Sequence, residues 1–240
     1  MTLDEILSSL FGTHSTISRD GPILFGRAIL PGGQPVHVLG FTDGEELGVD
    51  HAVDLAARVV DIASGADDAP ILFLVDSSSQ KMSRRDELMG LSEYLSHLAK
   101  CLFLAQGAGH PTVGLLYGGS AAGAFIVTAL SCDTLVALPG AHPAVMDLPS
   151  MSRVTKLSLE VLKEKAEATP VFAPGLDNLA QMGAIAETWD PTRPLSTQLE
   201  TLLGRPFDGD VRSRLGLARG GRLKAGAIAD RIVALAVAHG

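Results

Sequence analysis

The chain has 240 residues, 46% of them hydrophobic, with 27 acidic against 19 basic side chains and a net charge of −8. That length suffices for one large α/β domain with an ample core, and the acidic balance argues against nucleic acid as a general partner. A mean hydropathy of +0.27 reads either as an apolar face that a partner covers or as a chain rich in alanine and leucine.

Thr2-Leu3-Asp4-Glu5 predicts a capping box that opens a short helix to about Leu10. Asp4 and Glu5 stand where a signal peptide would carry positive charge, so the expected location is the cytoplasm. Ile23–Leu30 and Gln34–Phe41 read as strands joined by Pro31-Gly32-Gly33. Residues 49–63 have helical periodicity, with Val49, Val53, Ala56, Ala57 and Val60 as the expected apolar face and Gly65 as the stop. A strand at Ile71–Val75, a serine-rich loop and one long helix from about Arg85 to Ala105 follow. Residues 112–132 carry no charge, but glycines at 114, 118, 119 and 123 break the run, so a membrane span is rejected. The segment reads instead as a strand from Pro111 to Tyr117, a glycine turn, a helix starting at Ser120, and a strand at Leu135–Leu138. Helices starting near Val49, Arg85 and Ser120 at nearly even intervals imply either a doubly wound sheet or a spiral of ββα units. No linker marks a second domain, so the expectation is a single domain over 1–240 with a helical, basic region from about Leu195.

Small residues in a strand-to-helix turn let a ligand approach the backbone, and the first amides of a helix lack intrahelical partners. The turn therefore reads either as a site for an anionic oxygen or as tight strand–helix packing. The glycines do not form a P-loop, and neither histidines nor cysteines have metal-ligand spacing. Cys101 and Cys132 read as buried thiols. His142 lies near the sheet end that carries the turn, and Tyr117 ends the strand before it. His37 reads as a satisfied core or interface residue, and Asp133 as a structural hydrogen-bonding group. Seven basic residues between Arg205 and Arg231 imply either docking of an acidic carrier or phosphorylated arm, or ordinary helix-surface charge.

The run from Pro111 to Ala137, ending in Cys132-Asp133-Thr134-Leu135-Val136-Ala137, resembles the signature of the crotonase superfamily. Gly118-Gly119-Ser120 and Gly90-Leu91-Ser92-Glu93 are similar to motifs of its carboxyltransferase subunits. Asp76-Ser77-Ser78-Ser79-Gln80 stands where those subunits carry Asp-Thr-Pro-Gly, with serines replacing the Pro-Gly pair. Met146-Asp147-Leu148-Pro149, Ser152-Arg153-Val154-Thr155 and Asp177-Asn178 resemble the gamma subunit of biotin-independent malonate decarboxylase.

The resemblance implies a crotonase-like α/β spiral of repeated ββα units. It implies pairing with a related beta subunit, alongside acyl carrier protein and acyl-carrier transferase subunits, without nucleic acid or membrane. The implied substrate is a malonyl thioester on a phosphopantetheine-type arm of the carrier protein or on coenzyme A, with no metal and no directly bound cofactor. The amides of Gly123 and Ala124 are the implied oxyanion donors, with Gly118, Gly119 and His142 beside them. Ser120, Ala122 and Arg153 are the expected substrate-binding residues, and Arg212, Arg214 and Arg219 of the basic tail are the candidates for carrier docking. Two alternatives are a non-catalytic scaffold subunit and a Clp-type serine peptidase. The second places Ala121 at the nucleophile position, which removes the nucleophile a triad needs.

Overall fold

The computed structural model describes residues 1–12, 15–170, 173–206 and 208–239. Its strands are β1 (Ser15–Asp20), β2 (Ile23–Ile29), β3 (Pro35–Leu47), β4 (Ile71–Gln80), β5 (Thr112–Leu116), β6 (Gly119–Ala121), β7 (Thr134–Ala137), β8 (His142–Ala144) and β9 (Glu187–Thr188). The helices are α1 (Leu3–Phe11), α2 (Val49–Ala63), α3 (Arg84–Met89), α4 (Leu91–Gly107), α5 (Ala122–Val127), α6 (Leu148–Thr155), α7 (Leu159–Ala168), α8 (Leu176–Gln181), α9 (Leu195–Leu203), α10 (Arg212–Ala218) and α11 (Leu223–His239).

Among the described residues, β1, β2, β3, β4, β5, β7 and β9 form one sheet in chain order, and β6 and β8 pair separately. The first three strands are antiparallel, and the pairs from β3 onward are parallel. Because the order never doubles back, the winding never reverses. That decides for the spiral over the doubly wound sheet.

Alternation along the central strands sorts the core. Ile71, Phe73 and Val75 of β4 face a cluster with Leu55 of α2 and Leu98 and Leu102 of α4. Leu72 and Leu74 face the opposite cluster, with Ile6 and Leu10 of α1, Leu195 and Leu199 of α9, and Trp189. β5 is buried along its whole length, as a parallel strand covered on both faces must be. Cys101 and Cys132 are free and buried. Burial pushes the Cys132 thiol up to about 12, which keeps it protonated and unreactive.

Several elements differ from the expectation for identifiable reasons. Ser15–Asp20 pairs with β2 although it was not predicted, because an exposed edge strand carries no apolar alternation. The predicted serine loop is strand: β4 continues past Val75 because a bulged extension of β3 offers partners, Glu45 to Ser77 and Leu47 to Gln80. α2 has the predicted bounds, but its buried face is Val49, Ala52, Leu55, Ala56 and Val59, and Val53 is 43% exposed. Apolar residues occur on both sides of this helix, and packing against α4 selects one side. The single long helix is two, broken where Gly90 adopts the left-handed conformation at φ 86° and ends α3.

The cap of α2 also comes from elsewhere. Gly48 at its N-cap offers no side chain, and the Asp86 carboxylate of α3 accepts the Val49 N–H at 2.8 Å instead. Asp86 also accepts the Ser83 hydroxyl and is itself buried. A Cβ at Gly48 would lie 2.7 Å from the Asp86 carboxylate, so the glycine makes room for this remote cap.

Candidate functional site

Parallel strands end in free carbonyls and chain turns on one side of the sheet, and here those ends are β4 and β5. Beyond Leu116 the chain passes Tyr117 and Gly118 into β6 and then into α5. It runs alongside the far end of β4. Three contacts join the two segments with one sequence offset of 43 residues: Asp76 with Gly119, Ser77 with Ser120, and Gln80 with Gly123. A constant offset is what two parallel segments in register produce.

The first contact explains two glycines. Asp76 Oδ1 accepts the Gly119 N–H at 2.9 Å, and a Cβ at Gly118 would sit 2.0 Å from that same oxygen. At Gly119 a Cβ would lie 2.9 Å from both His142 Nε2 and the Ser77 carbonyl oxygen. These glycines are needed for close approach. In the second contact, the Ser77 and Ser120 hydroxyls pair at 2.8 Å, with residue exposures of 2% and 1%.

The third contact lies at the helix start. Ala122 holds φ 51°, a left-handed conformation that is unfavourable for a residue with a Cβ. It sets the direction in which α5 leaves β6. Ala121 is the N-cap and supplies no side-chain cap, so the first amides of α5 need partners from outside the helix. Gln80 answers one of them: its Oε1 accepts the Gly123 N–H at 2.8 Å. Ala124 follows in the same turn and is fully buried. The turn therefore already presents a backbone donor to a neutral carbonyl-type oxygen.

His142 enters this cluster through β8, which pairs in parallel with β6 and sets His142 opposite Gly119. Its backbone N–H donates to the Gly118 carbonyl at 3.0 Å, and its side chain is exposed. Tyr117 is part-buried beside the turn. Burial first and the nearby Asp76 carboxylate second push its phenol above the ordinary range, so it stays protonated.

Other predicted site residues lie elsewhere. Ser120 does not start the helix but lies in β6, where its side chain is buried and its hydroxyl pairs with that of Ser77. Arg153 is on α6 and donates to the Ser150 hydroxyl at 2.9 Å. Arg212 donates to the Leu130 carbonyl at 2.7 Å and to both oxygens of Asp210. Arg219 donates to the carbonyls of Ala180, Ile185 and Ala186. Both guanidinium groups thus tie α10 and its C-cap to the body of the protein. Arg214 pairs with Asp208 and stays exposed. Asp133 is structural: it accepts the Thr112 N–H at 2.9 Å and the Thr112 hydroxyl at 3.1 Å.

Sequence reading missed Gln80 and Asp76 as partners of the turn. The signal that could have found them is the shared offset, which becomes visible only once the two segments are known to run in parallel.

Comparison with known proteins places this geometry. A chain of a Pseudomonas malonate decarboxylase hetero-tetramer in complex with coenzyme A superposes with a TM-score of 0.76 at 26% identity, covering 95% of this chain and 97% of that one. A transcarboxylase 12S structure superposes at 0.67 with 17% identity over 83% of this chain and 39% of that one, a likeness of fold alone. Malonyl-S-ACP:biotin-protein carboxyltransferase MADD of Malonomonas rubra is 33% identical over 126 residues, 51% of this chain, so the match spans only 43% of that protein's length. The fold is crotonase-like and of the carboxyltransferase type. Among the described residues no helix is long and apolar enough to cross a membrane. The family model for the malonate decarboxylase gamma subunit matches residues 42–236, and the chain belongs to that family.

Proposed function

We propose that this chain pairs with a related beta subunit in the cytoplasm, and that the two decarboxylate a malonyl thioester to the acetyl thioester. An acyl carrier protein presents the thioester on its phosphopantetheine-type arm, loaded by an acyl-carrier transferase subunit, and coenzyme A thioesters serve as simpler substrates. Loss of CO2 leaves an electron pair that flows into the thioester carbonyl and forms an enolate. Preorganised donors at that oxygen lower the barrier, each typically by a few kcal/mol. In this reading the thioester oxygen takes the place of Gln80 Oε1 on the Gly123 N–H. The Ala124 amide and the Gly118-Gly119 backbone complete the surroundings, with Ala122 against the substrate. His142, beside Gly119, supplies the proton that quenches the carbanion. The carboxyl group leaves as CO2 without passing to biotin.

The observation that carries the proposal is the Gly123 amide, held by strained Ala122 at the end of the parallel strands and already matched to a carbonyl oxygen at 2.8 Å. Exposed Leu223, Ile228, Ile232 and Leu235 on α11 support a chain that works against a partner. The test measures CO2 release from a malonyl thioester by each subunit alone and by the mixture, with and without avidin. Activity confined to the mixture and indifferent to avidin is expected. Full activity of the isolated chain refutes the shared site, and inhibition by avidin refutes direct decarboxylation. The scaffold reading has one observation in its favour, that Gly123 is already satisfied by Gln80, and variants of Gln80 separate the two.

A further inference from the structure

At the opposite ends of the same strands, three side chains meet that no spacing in the sequence connects. His37 is on β3, Asp67 lies in the segment leading into β4, and His110 lies two residues before β5. One ligand-type atom from each lies within 4.8 Å of the others. His37 Nε2 and Asp67 Oδ1 are 2.9 Å apart, and the two rings meet edge to face with centroids 5.9 Å apart. From these positions we infer that His37, Asp67 and His110 form a Zn2+ site, separate from the thioester turn. This amends the expectation of no metal ligands.

The local hydrogen bonds suit that role. His110 is buried, and its Nδ1 donates to the Ala69 carbonyl at 2.8 Å. That bond fixes the tautomer and leaves Nε2 with its lone pair, as a backbone carbonyl does for a metal-bound histidine. Asp67 is oriented by the Ala69 N–H, which donates to Oδ1 at 3.1 Å. Two imidazoles and one carboxylate with a water make the four-coordinate shell that Zn2+ adopts. The ion would replace the proton shared by His37 and Asp67 and join the starts of three strands. Among the described residues, Arg27, 2.9 Å from Asp67 Oδ2, is the one cation in contact with the cluster, and it opposes the ion.

The test uses the full chain, stripped with a chelator and titrated with Zn2+ and with Co2+ as a spectroscopic probe. One Zn2+ per chain, a rise in melting temperature of about 5 °C or more at saturation, and the intense visible bands of four-coordinate Co2+ are expected. Asp67→Asn and His37→Ala, both at part-exposed positions, remove stoichiometric binding, as does His110→Ala. Arg27→Gln tightens Zn2+ binding several-fold. An ion-pair network only, seen as no stoichiometric Zn2+ uptake by the wild-type chain, overturns the inference. So does retention of Zn2+ or of the Co2+ bands in a folded Asp67→Asn or His37→Ala variant.

Discussion

Replacing Gln80 by alanine separates a substrate-facing amide from a structural one. In the free protein the Gly123 N–H donates to Gln80 Oε1 at 2.8 Å in a part-buried setting, where such a bond contributes about 0.5–1.5 kcal/mol net. If the thioester oxygen must displace that oxygen, the same energy is subtracted from substrate binding. Gln80→Ala in the gamma–beta complex should then lower KM by roughly 2- to 13-fold with kcat nearly unchanged. The folded state loses its cap in exchange, and the melting temperature should fall by about 2–4 °C for about 1 kcal/mol. Initial rates of CO2 release against thioester concentration, with a thermal melt of the same preparation, measure both. A kcat that collapses at constant KM would mean that Gln80 itself acts on the substrate. Unchanged KM and kcat in a destabilised variant would mean that the substrate never meets the Gly123 amide, and the scaffold reading would stand.

Ser120→Ala should keep turnover within about twofold while losing about 1–2 kcal/mol in a denaturant melt, because the buried Ser77 hydroxyl loses its partner. Labelling of Ser120 by a fluorophosphonate probe would instead revive the peptidase reading. Arg212→Ala should destabilise the chain by about 1–3 kcal/mol, since it strips the Leu130 carbonyl of its donor. Arg214→Ala should leave stability unchanged and weaken use of the carrier-protein substrate more than a small thioester, most at low salt; equal effects on both substrates would end the docking role. Asp86 gives a pH test. The hydrogen bond from Ser83, then that from the Val49 N–H, lowers its carboxyl below the ordinary 3.8, so the folded state favours the carboxylate. Its contribution is present above that unfolded value and is lost as pH falls through the lower folded one. Asp86→Asn keeps an acceptor but loses the charge, so it should cost about 1 kcal/mol at neutral pH, and the gap to the wild type should narrow as pH falls below 3.8; a gap that stays constant in acid would refute the role of the carboxylate in the cap.

How much of this was legible in the chain depended on the range of the interactions involved. The capping box at Thr2 and Glu5, the bounds of α2 and the buried β5 follow from neighbouring residues, since capping, periodicity and apolar runs are local signals. The glycine turn and its family motif were legible as well, because close approach of backbone to backbone leaves only small residues there. The break of the long helix at Gly90 was readable in principle but overruled by the apolar pattern on both sides. What the sequence did not disclose depends on partners far along the chain. The buried side of α2 was chosen by α4, and the serine stretch became strand because β3 bulges to meet it. Gln80 closed on Gly123 only because the end of β4 and the start of α5 run in register. Arg212 and Arg219 looked like free surface charge until carbonyls of the body met them. His37 and His110, 73 positions apart in number, share one cluster because β3 and the connection into β5 start at the same edge of the sheet. Local composition determined which elements form and where a backbone can be approached; the parallel winding, which brings distant residues within hydrogen-bond reach, decided which of those elements make a site.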